Sequence, residues 1–374
     1  MRIAIITQPI RTSYGGILQN YALQTVLKRR GHTVCTLQKS WQMKPQFPGF
    51  FMVLLKRFVK KCMGKNRHPL FYEPYYNRDF PIFTKYTRGE FAKKYLVLRE
   101  VSNLDKDVAS CDYDAYVVGS DQVWRPSYNN IYHSFLSFTR DWKVKRVAYA
   151  ASFGVDSWEF SPKEEGVCKQ LAQNFDAISV REITGKQLCE KYLQQPALHV
   201  LDPTMLLTQE DYNLLIDNYC THPSEGNLFF HVLDKTGDFT QLLSSIASDL
   251  RLTPFAVNQE EHEDDVEKPI EKRIQPPIEQ WLRSFKDAEF VVTDSFHATV
   301  FSILFNKQFV VYANKGRGVA RLQSLLSMFG IENRVVSNHK DWDLLREKNI
   351  DYSLVNEKIE KWRSESNNFI NNIF

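Results

Sequence analysis

Short apolar segments that each run into a polar turn recur along this chain of 374 residues. The first, residues 2–7, is followed by a loop (8–16), a predicted helix (17–30) that Gly31 ends, and a second apolar segment (33–37). This order of strand, helix and strand is typical of a βαβ unit in a parallel sheet. Further predicted strands lie at residues 113–118, 146–150, 177–180, 199–201, 227–232, 253–257, 290–293 and 309–312. The pattern therefore predicts an α/β fold.

The length predicts more than one domain, since a domain usually has about 150 residues. A second series of strands begins after the polar turn at Asp202-Pro203. We therefore predict two Rossmann-like domains, residues 1–205 and 206–350. A polar C-terminal helix within residues 351–374 follows, and the sequence allows it to pack back on the first domain.

Composition excludes several classes of protein. With 43% hydrophobic and 25% charged residues, the chain is typical of a soluble globular protein, and a net charge of +4 does not call for a nucleic-acid partner. The start lacks a secretory pattern and the longest apolar run, residues 50–55, is too short to span a bilayer, so we expect a cytoplasmic protein. Six cysteines without a CxxC pair predict no metal site.

One predicted strand, residues 290–293, runs directly into Asp294 and Ser295 and then a lone histidine, His297. In open parallel sheets, ligands bind beyond the carboxyl ends of the strands, where the amides of the next helix favour an anion. A phosphate or carboxylate would suit this place. The alternative is that Ser295 only caps a helix and that His297 is a half-buried imidazole without a ligand.

Two other turns carry candidate residues. Gly15 and Gly16 lie at a helix entrance, where backbone can approach a ligand closely, and Asn20 and Gln24 follow on one helical face. The pattern is not GxGxxG, which disfavours a nicotinamide site. Asp121, just past another strand end, is placed to accept a proton from a hydroxyl group. The alternative interpretation is that the two glycines serve only the turn and that Asp121 only caps a helix.

Six blocks in order carry a family resemblance, at residues 15–24 (GGILQNYALQ), 112–124 (DYDAYVVGSDQVW), 149–154 (YAASFG), 178–182 (ISVRE), 201–207 (LDPTMLL) and 293–302 (TDSFHATVFS). Through them the chain resembles the polysaccharide pyruvyl transferase family. The resemblance implies two Rossmann-like domains facing a cleft, as in GT-B glycosyltransferases. It also implies phosphoenolpyruvate as co-substrate without a further cofactor, a sugar diol as acceptor, and a role in bacterial surface or capsular polysaccharide biosynthesis.

The resemblance also implies roles for residues. It places Arg181 and His297 against the donor phosphate and carboxylate, but many members carry an arginine where this chain has Ser295. Arg321 and Arg317 are the candidates to replace that cation, because a guanidinium matches phosphate or carboxylate bidentately. The predicted donor site thus comprises Arg181, Ser295, Phe296, His297, Arg317 and Arg321.

The expected chemistry needs an acid, a base and an anion site. His297 is predicted to stabilise phosphate or act as the acid, and Asp121 to act as the base, with Asp294 an equal alternative. The acceptor, a lipid-linked or nucleotide-linked saccharide, is expected at Gly15, Gly16, Asn20, Gln24 and Asp121.

Residues 51–62 predict a basic amphipathic helix. One face carries Phe51, Leu54, Leu55, Phe58, Val59 and Cys62, and the other carries Lys56, Arg57, Lys60 and Lys61. Such a helix suits peripheral contact with the inner face of an anionic membrane. The alternative is an ordinary surface helix whose apolar face packs on the core.

Two other functions compete with pyruvyl transfer. A nucleotide-sugar glycosyltransferase would share the two-domain cleft and is distinguished by its donor. A catalytically silent glycan-assembly partner is motivated by Ser295, and it would bind ligand without turnover.

Overall fold

The computed structural model describes residues 1–40, 42–43, 50–63, 69–219, 221–235, 237–263, 265–313 and 319–374. Within these residues, seven strands form a first sheet in the order β3-β2-β1-β4-β5-β6-β7. Their bounds are β1 Arg2–Ile6, β2 Thr33–Lys39, β3 Leu98–Val101, β4 Ala115–Val118, β5 Lys145–Ala151, β6 Ala177–Val180 and β7 Leu198–His199.

A second sheet comes from the later part of the chain. Its described strands follow the order β12-β11-β10-β8-β9. Their bounds are β8 Leu228–His231, β9 Pro254–Phe255, β10 Phe290–Thr293, β11 Gln308–Tyr312 and β12 Val335–Val336.

The longer helices cover the two sheets and connect their strands, whereas the shorter helices lie within loops. The helices are α1 Tyr14–Arg29, α2 Phe50–Cys62, α3 Tyr72–Phe83, α4 Lys93–Tyr95, α5 Leu104–Asp107, α6 Ile131–Ser134, α7 Pro162–Ala172, α8 Ile183–Leu188, α9 Gln209–Asp217, α10 Gly237–Leu250, α11 Ile278–Asp287, α12 Phe296–Leu304, α13 Val319–Phe329, α14 His339–Asp343 and α15 Tyr352–Asn371. Short π and 3₁₀ segments include residues 85–92, 203–206 and 270–273.

Every described pairing between strands is parallel. The central strands β4 and β10 are buried along their whole length, as expected where helices cover both faces of a parallel sheet. The predicted α/β class is therefore confirmed. Strands β3 and β12 were not predicted, because they lie at sheet edges and lack a continuous buried apolar run.

Helix α1 begins earlier than predicted. Its N-cap is Ser13, whose hydroxyl accepts a hydrogen bond from the Gly16 amide at 3.2 Å. Gly15 and Gly16 therefore lie in the first helical turn, and the prediction of a loop through residue 16 was wrong. The two glycines form part of a helix that presents bare backbone to its surroundings.

Contacts from several elements join the first and second halves of the chain. Helix α15 returns to the first half, where the Leu201 amide donates to Ser366 Oγ at 2.9 Å and Arg363 Nε donates to the Met205 carbonyl at 2.9 Å. On another side, Arg273 and Asp79 form a buried ion pair at 2.5 Å. The boundaries near residues 205 and 350 remain predictions.

Glu279, in the first turn of α11, is a buried carboxyl whose effect on stability depends on pH. It is 2% exposed, and burial raises its pKa from 4.5 to about 7. The unfolded carboxyl releases its proton at lower pH than the folded one, so this group lowers stability as pH rises from 4.5 to 7. We expect Glu279→Gln to stabilise the fold above pH 7 by about 3 kcal/mol and to have no effect below pH 4.5.

Chemical denaturation at several pH values measures this effect. The matched control is Glu210→Gln, because Glu210 occupies the first turn of α9 but is exposed. Equal stability changes in the two variants, or a Glu279→Gln effect that does not vary with pH, would contradict the prediction.

Candidate active site

The carboxyl ends of strands from both sheets meet at one place. From the first sheet, Asp121 follows β4, Arg181 follows β6 and Asp202 follows β7. From the second sheet, β10 leads into Phe296 and His297 at the start of α12. Parallel strands all deliver the next polar residue to the same edge, which is why distant segments converge here.

Arg181 is the centre of this cluster. It is 2% exposed, and its guanidinium donates to Asp202 at 2.8 Å, Asp121 at 3.0 Å and Glu182 at 3.4 Å. Phe296 covers it, with the guanidinium carbon 4.4 Å from the ring centroid. Burial lowers the pKa of Arg181, but the three carboxylates outweigh burial and raise it. The predicted donor ligand Arg181 thus directs its N–H groups at protein carboxylates.

Asp202, which was not among the predicted site residues, is the second member of the cluster. Besides Arg181, its carboxylate accepts from Ser120 Oγ at 3.0 Å and from the amide and hydroxyl of Thr204 at 3.1 and 2.7 Å. Burial raises the pKa of Asp202, but His297 and Arg181 outweigh burial and hold it well below its usual range. The signal available in the sequence was an acidic residue directly after a short strand.

His297 connects the two halves of the site. As predicted, Ser295 is the N-cap and α12 begins at Phe296. His297 Nε2 lies 3.7 Å from Asp202 Oδ2, close enough for charge attraction but too far for a hydrogen bond, and it has no hydrogen-bond partner among the described residues. The imidazole packs directly against α1, because a Cβ added to Gly15 would lie 2.0 Å from Nδ1.

Asp121 lies at the wall of a cavity of about 480 Å³. Its φ of 75° is in the left-handed region, and its turn is held by Gln19, whose Oε1 accepts from the Ser120 amide at 3.1 Å. Gln19 was not recognised from the sequence, although it lies one turn beyond Gly15 and Gly16. Burial raises the pKa of Asp121, but the charge of Arg181 helps to outweigh burial and lower it.

The pKa of Glu182 is shifted in the direction opposite to that of Asp121. Burial raises its pKa, and the opposing charge of Arg181 does not cancel this effect. Its carboxylate also accepts a hydrogen bond from Ser152 Oγ. The environment therefore separates two nearby carboxyls, with Asp121 the more readily ionised and Glu182 the more readily protonated.

Arg321, in the first turn of α13, is brought near this cluster. Burial lowers its pKa, as does the charge of Arg181, while Glu182 and Asp121 act in the opposite direction. Its Nε is buried and has no hydrogen-bond partner among the described residues. The helix is anchored to the first half by Ser324 Oγ, which accepts from the Ile183 amide at 3.0 Å. The other candidate cation, Arg317, lies outside the described residues.

Two residues of the predicted acceptor site are buried inside the first half of the chain. Gln24 is fully buried, donates to Thr36 Oγ1 and the Val97 carbonyl, and accepts from the Val97 amide. Asn20 is also buried and accepts from the Thr36 hydroxyl at 2.7 Å. The structure uses both side chains to join α1 to the β2 and β3 region, so neither is brought to the cavity.

Asp294, the alternative base, orders a loop. Its carboxylate accepts from the amides of Leu233 and Asp234 at 2.8 and 3.1 Å, just beyond β8.

In the described residues, no group of three or more His, Cys, Asp or Glu side chains is arranged to hold a metal ion.

Comparisons with known proteins address the family and the fold. A family profile described as Polysaccharide pyruvyl transferase matches residues 14–316. Among solved structures, UGT89C1 of Arabidopsis thaliana complexed with UDP-L-rhamnose superposes with a TM-score of 0.53 at 7% identity, covering 99% of this chain and 97% of that one. The same protein complexed with quercetin gives 0.51 at 8%, covering 99% and 98%. The search of curated proteins gives no match. The predicted GT-B-like fold is confirmed.

Gly15→Ala tests the contact between the halves. The new Cβ would overlap the His297 ring, so we expect a loss of about 1–3 kcal/mol in stability. The control is Gly166→Ala in α7, where an added Cβ meets nothing within 4 Å and a gain of about 0.5–1 kcal/mol is expected. Thermal unfolding measures both. If the two variants were equally stable, the close packing of His297 on α1 would not constrain the fold.

Proposed function

This chain belongs to the polysaccharide pyruvyl transferase family, and we propose that it transfers the pyruvyl group of phosphoenolpyruvate to two hydroxyls of a sugar. The product is a cyclic pyruvate ketal, and phosphate is released. The proposed setting is bacterial surface polysaccharide biosynthesis, with a lipid-linked or nucleotide-linked saccharide as acceptor. The observation that carries the proposal is the convergence of His297, Arg321 and Asp121 on one cluster beside a cavity whose lining residues carry hydrogen-bonding groups.

The donor site is proposed on the second half of the chain. Phosphoenolpyruvate carries a phosphate and a carboxylate, so it requires cationic or hydrogen-bonding groups that can still donate to a ligand. Among the described residues, Arg321 Nε and His297 Nε2 are buried and have no hydrogen-bond partner. The N-cap turn at Ser295 adds amides at the start of α12. In this assignment Arg321 replaces the cation that many family members carry at the position of Ser295.

We propose that Arg181 positions the carboxylates of the site and does not bind the donor directly. Because its guanidinium is engaged by Asp121, Glu182 and Asp202, it acts first by fixing the carboxylates around the reacting groups. A direct contact with donor would require one of these ion pairs to open. The role of Arg181 is therefore to orient Asp121 and to balance buried negative charge.

The acceptor is proposed to occupy the cavity next to Asp121. Its lining contains the hydrogen-bonding groups that a sugar needs, from Gln8, Arg11, Thr12, Ser13, Asp121, Gln122, Ser127 and Tyr128. Tyr128 is 57% exposed and offers a ring surface at the cavity. An ionised Asp121 would accept a hydrogen bond from the attacking hydroxyl and orient its oxygen.

The reaction balances without an additional reactant. A proton adds to the methylene carbon of phosphoenolpyruvate, and the first sugar hydroxyl forms a bond to the adjacent carbon, losing its proton to the base. The bond from that carbon to the phosphate oxygen then breaks, and the second hydroxyl closes the ring as its proton passes to phosphate. His297 is the proposed acid or phosphate-stabilising group, and Asp121 is the proposed base.

Phosphate release from phosphoenolpyruvate tests the function directly. The assay uses galactose-, glucose- and mannosamine-type acceptors in lipid-linked and nucleotide-linked forms, followed by the mass of the product. We expect acceptor-dependent phosphate and the mass of a pyruvate ketal. Transfer from a nucleotide sugar would instead establish a glycosyltransferase. Binding of phosphoenolpyruvate and acceptor together without turnover would establish a catalytically silent partner.

His297→Ala is expected to lower the turnover rate at least about a hundredfold, because a positioned acid contributes that much or more. The exposed His222 provides the control as His222→Ala. Initial rates and thermal midpoints are measured for both variants. Near-normal turnover by a folded His297→Ala protein would exclude the proposed role.

Arg321→Met is expected to weaken phosphoenolpyruvate binding and to lower the turnover rate about a hundredfold, since an anion-stabilising donor typically contributes this much. Arg321→Lys should restore part of the affinity, because it keeps the charge but not the planar fork. The control is Arg346→Met at an exposed position. Unchanged donor affinity in Arg321→Met would remove Arg321 from the donor site.

A further inference from the structure

Helix α2 exposes the apolar face that its sequence pattern defines. Phe51 is 77% exposed, Leu55 62%, Phe58 53% and Val59 47%. A surface helix of a globular protein normally turns this face to the core. The alternative that α2 is an ordinary helix packed by its apolar face is therefore not what the structure shows.

The orientation of α2 is fixed by its opposite side. Arg57 donates to both carboxylate oxygens of Glu73 at 3.0 and 2.8 Å and to the Leu70 carbonyl at 3.0 Å. Glu73 belongs to α3, whose inner face is buried. Leu54, at the edge of the apolar face next to Arg57, is half-buried. These contacts attach α2 to the first half of the chain with its apolar face outward.

The exposed apolar side chains follow one another along a single helix, and the sequence of this segment has no acidic residue. We call this surface the α2 patch, comprising Phe51, Met52, Leu55, Phe58, Val59 and Met63, all between 47% and 77% exposed. Residues 50–63 contain four lysines and arginines and no acidic residue. Such a patch combines an apolar surface with positive charge, and isolated exposed apolar residues do not have this arrangement.

We propose that α2 is a peripheral membrane-binding element that places the α2 patch into the interface of an anionic phospholipid bilayer. Phe51, Leu55 and Phe58 would enter the boundary between headgroups and acyl chains, while Lys56, exposed beside them, meets the lipid phosphates. A second copy of this chain fits less well, because two such helices would bring like charges together. No helix in the described part of the chain is long and apolar enough to span a bilayer.

This inference does not depend on pyruvyl transfer. If the acceptor is lipid-linked, membrane contact would bring the enzyme to its substrate, but binding to vesicles is measured without donor, acceptor or turnover. Failure of the membrane proposal and failure of the proposed reaction are therefore distinguishable.

Flotation of the full chain with vesicles tests the proposal. One set contains equimolar phosphatidylglycerol and phosphatidylcholine, and the other contains phosphatidylcholine alone, each at low and high salt. We expect binding to the anionic vesicles that weakens with salt. The double variant Leu55→Glu/Phe58→Glu should lose at least about tenfold in partitioning, and Lys56→Glu about fivefold.

The matched control is Leu344→Glu, because Leu344 is 72% exposed but lies near α14 in the second half. It should bind vesicles as the unmodified protein does, and all variants should keep the same thermal midpoint because the changed side chains face solvent. Absence of vesicle binding, or equal binding by Leu55→Glu/Phe58→Glu, would overturn the proposal. So would a stable dimer in light scattering that the double variant abolishes, since the patch would then be a protein interface.

Discussion

The buried ion cluster around Arg181 is the interaction on which the site depends. An isolated guanidinium at 2% exposure would be strongly destabilising. Here Asp121, Glu182 and Asp202 come from the ends of strands β4, β6 and β7 and surround it. The charge of Arg181 compensates the buried negative charge of each carboxylate. The loops after β4, β6 and β7 therefore have to adopt their positions together. The cluster thereby specifies one arrangement of the cleft wall and holds Asp121 at the cavity.

The second half of the site is built against this wall by direct packing. Phe296 lies over Arg181, and His297 lies against the bare backbone of Gly15. Neither contact involves a strong hydrogen bond between the halves. Shape therefore positions the imidazole, while charge positions the carboxylates. Within the described part of the chain, this division leaves His297 Nε2 and Arg321 Nε without a hydrogen-bond partner.

The sequence predicted the fold class, the central strands and the turn that carries His297, because those depend on local apolar runs and caps. It predicted edge strands poorly, since β3 and β12 are short or half-exposed. It also missed Asp202 and Gln19, whose importance comes from partners far along the chain. Gln24 illustrates what spacing alone does not determine. Helical spacing groups it with Asn20, but only the packing of α1 determines that this face meets β2.

The return of α15 to the first half strengthens the connection between the two halves of the chain. The chain passes from the first half to the second between β7 and β8, and its last helix passes back to bind Leu201 and Met205. The two crossings lie side by side, because α15 binds the same segment through which the chain leaves the first half. The covalent link between the halves is thus reinforced by hydrogen bonds where it leaves the first sheet, and this limits how far the two walls of the cleft can separate at that end.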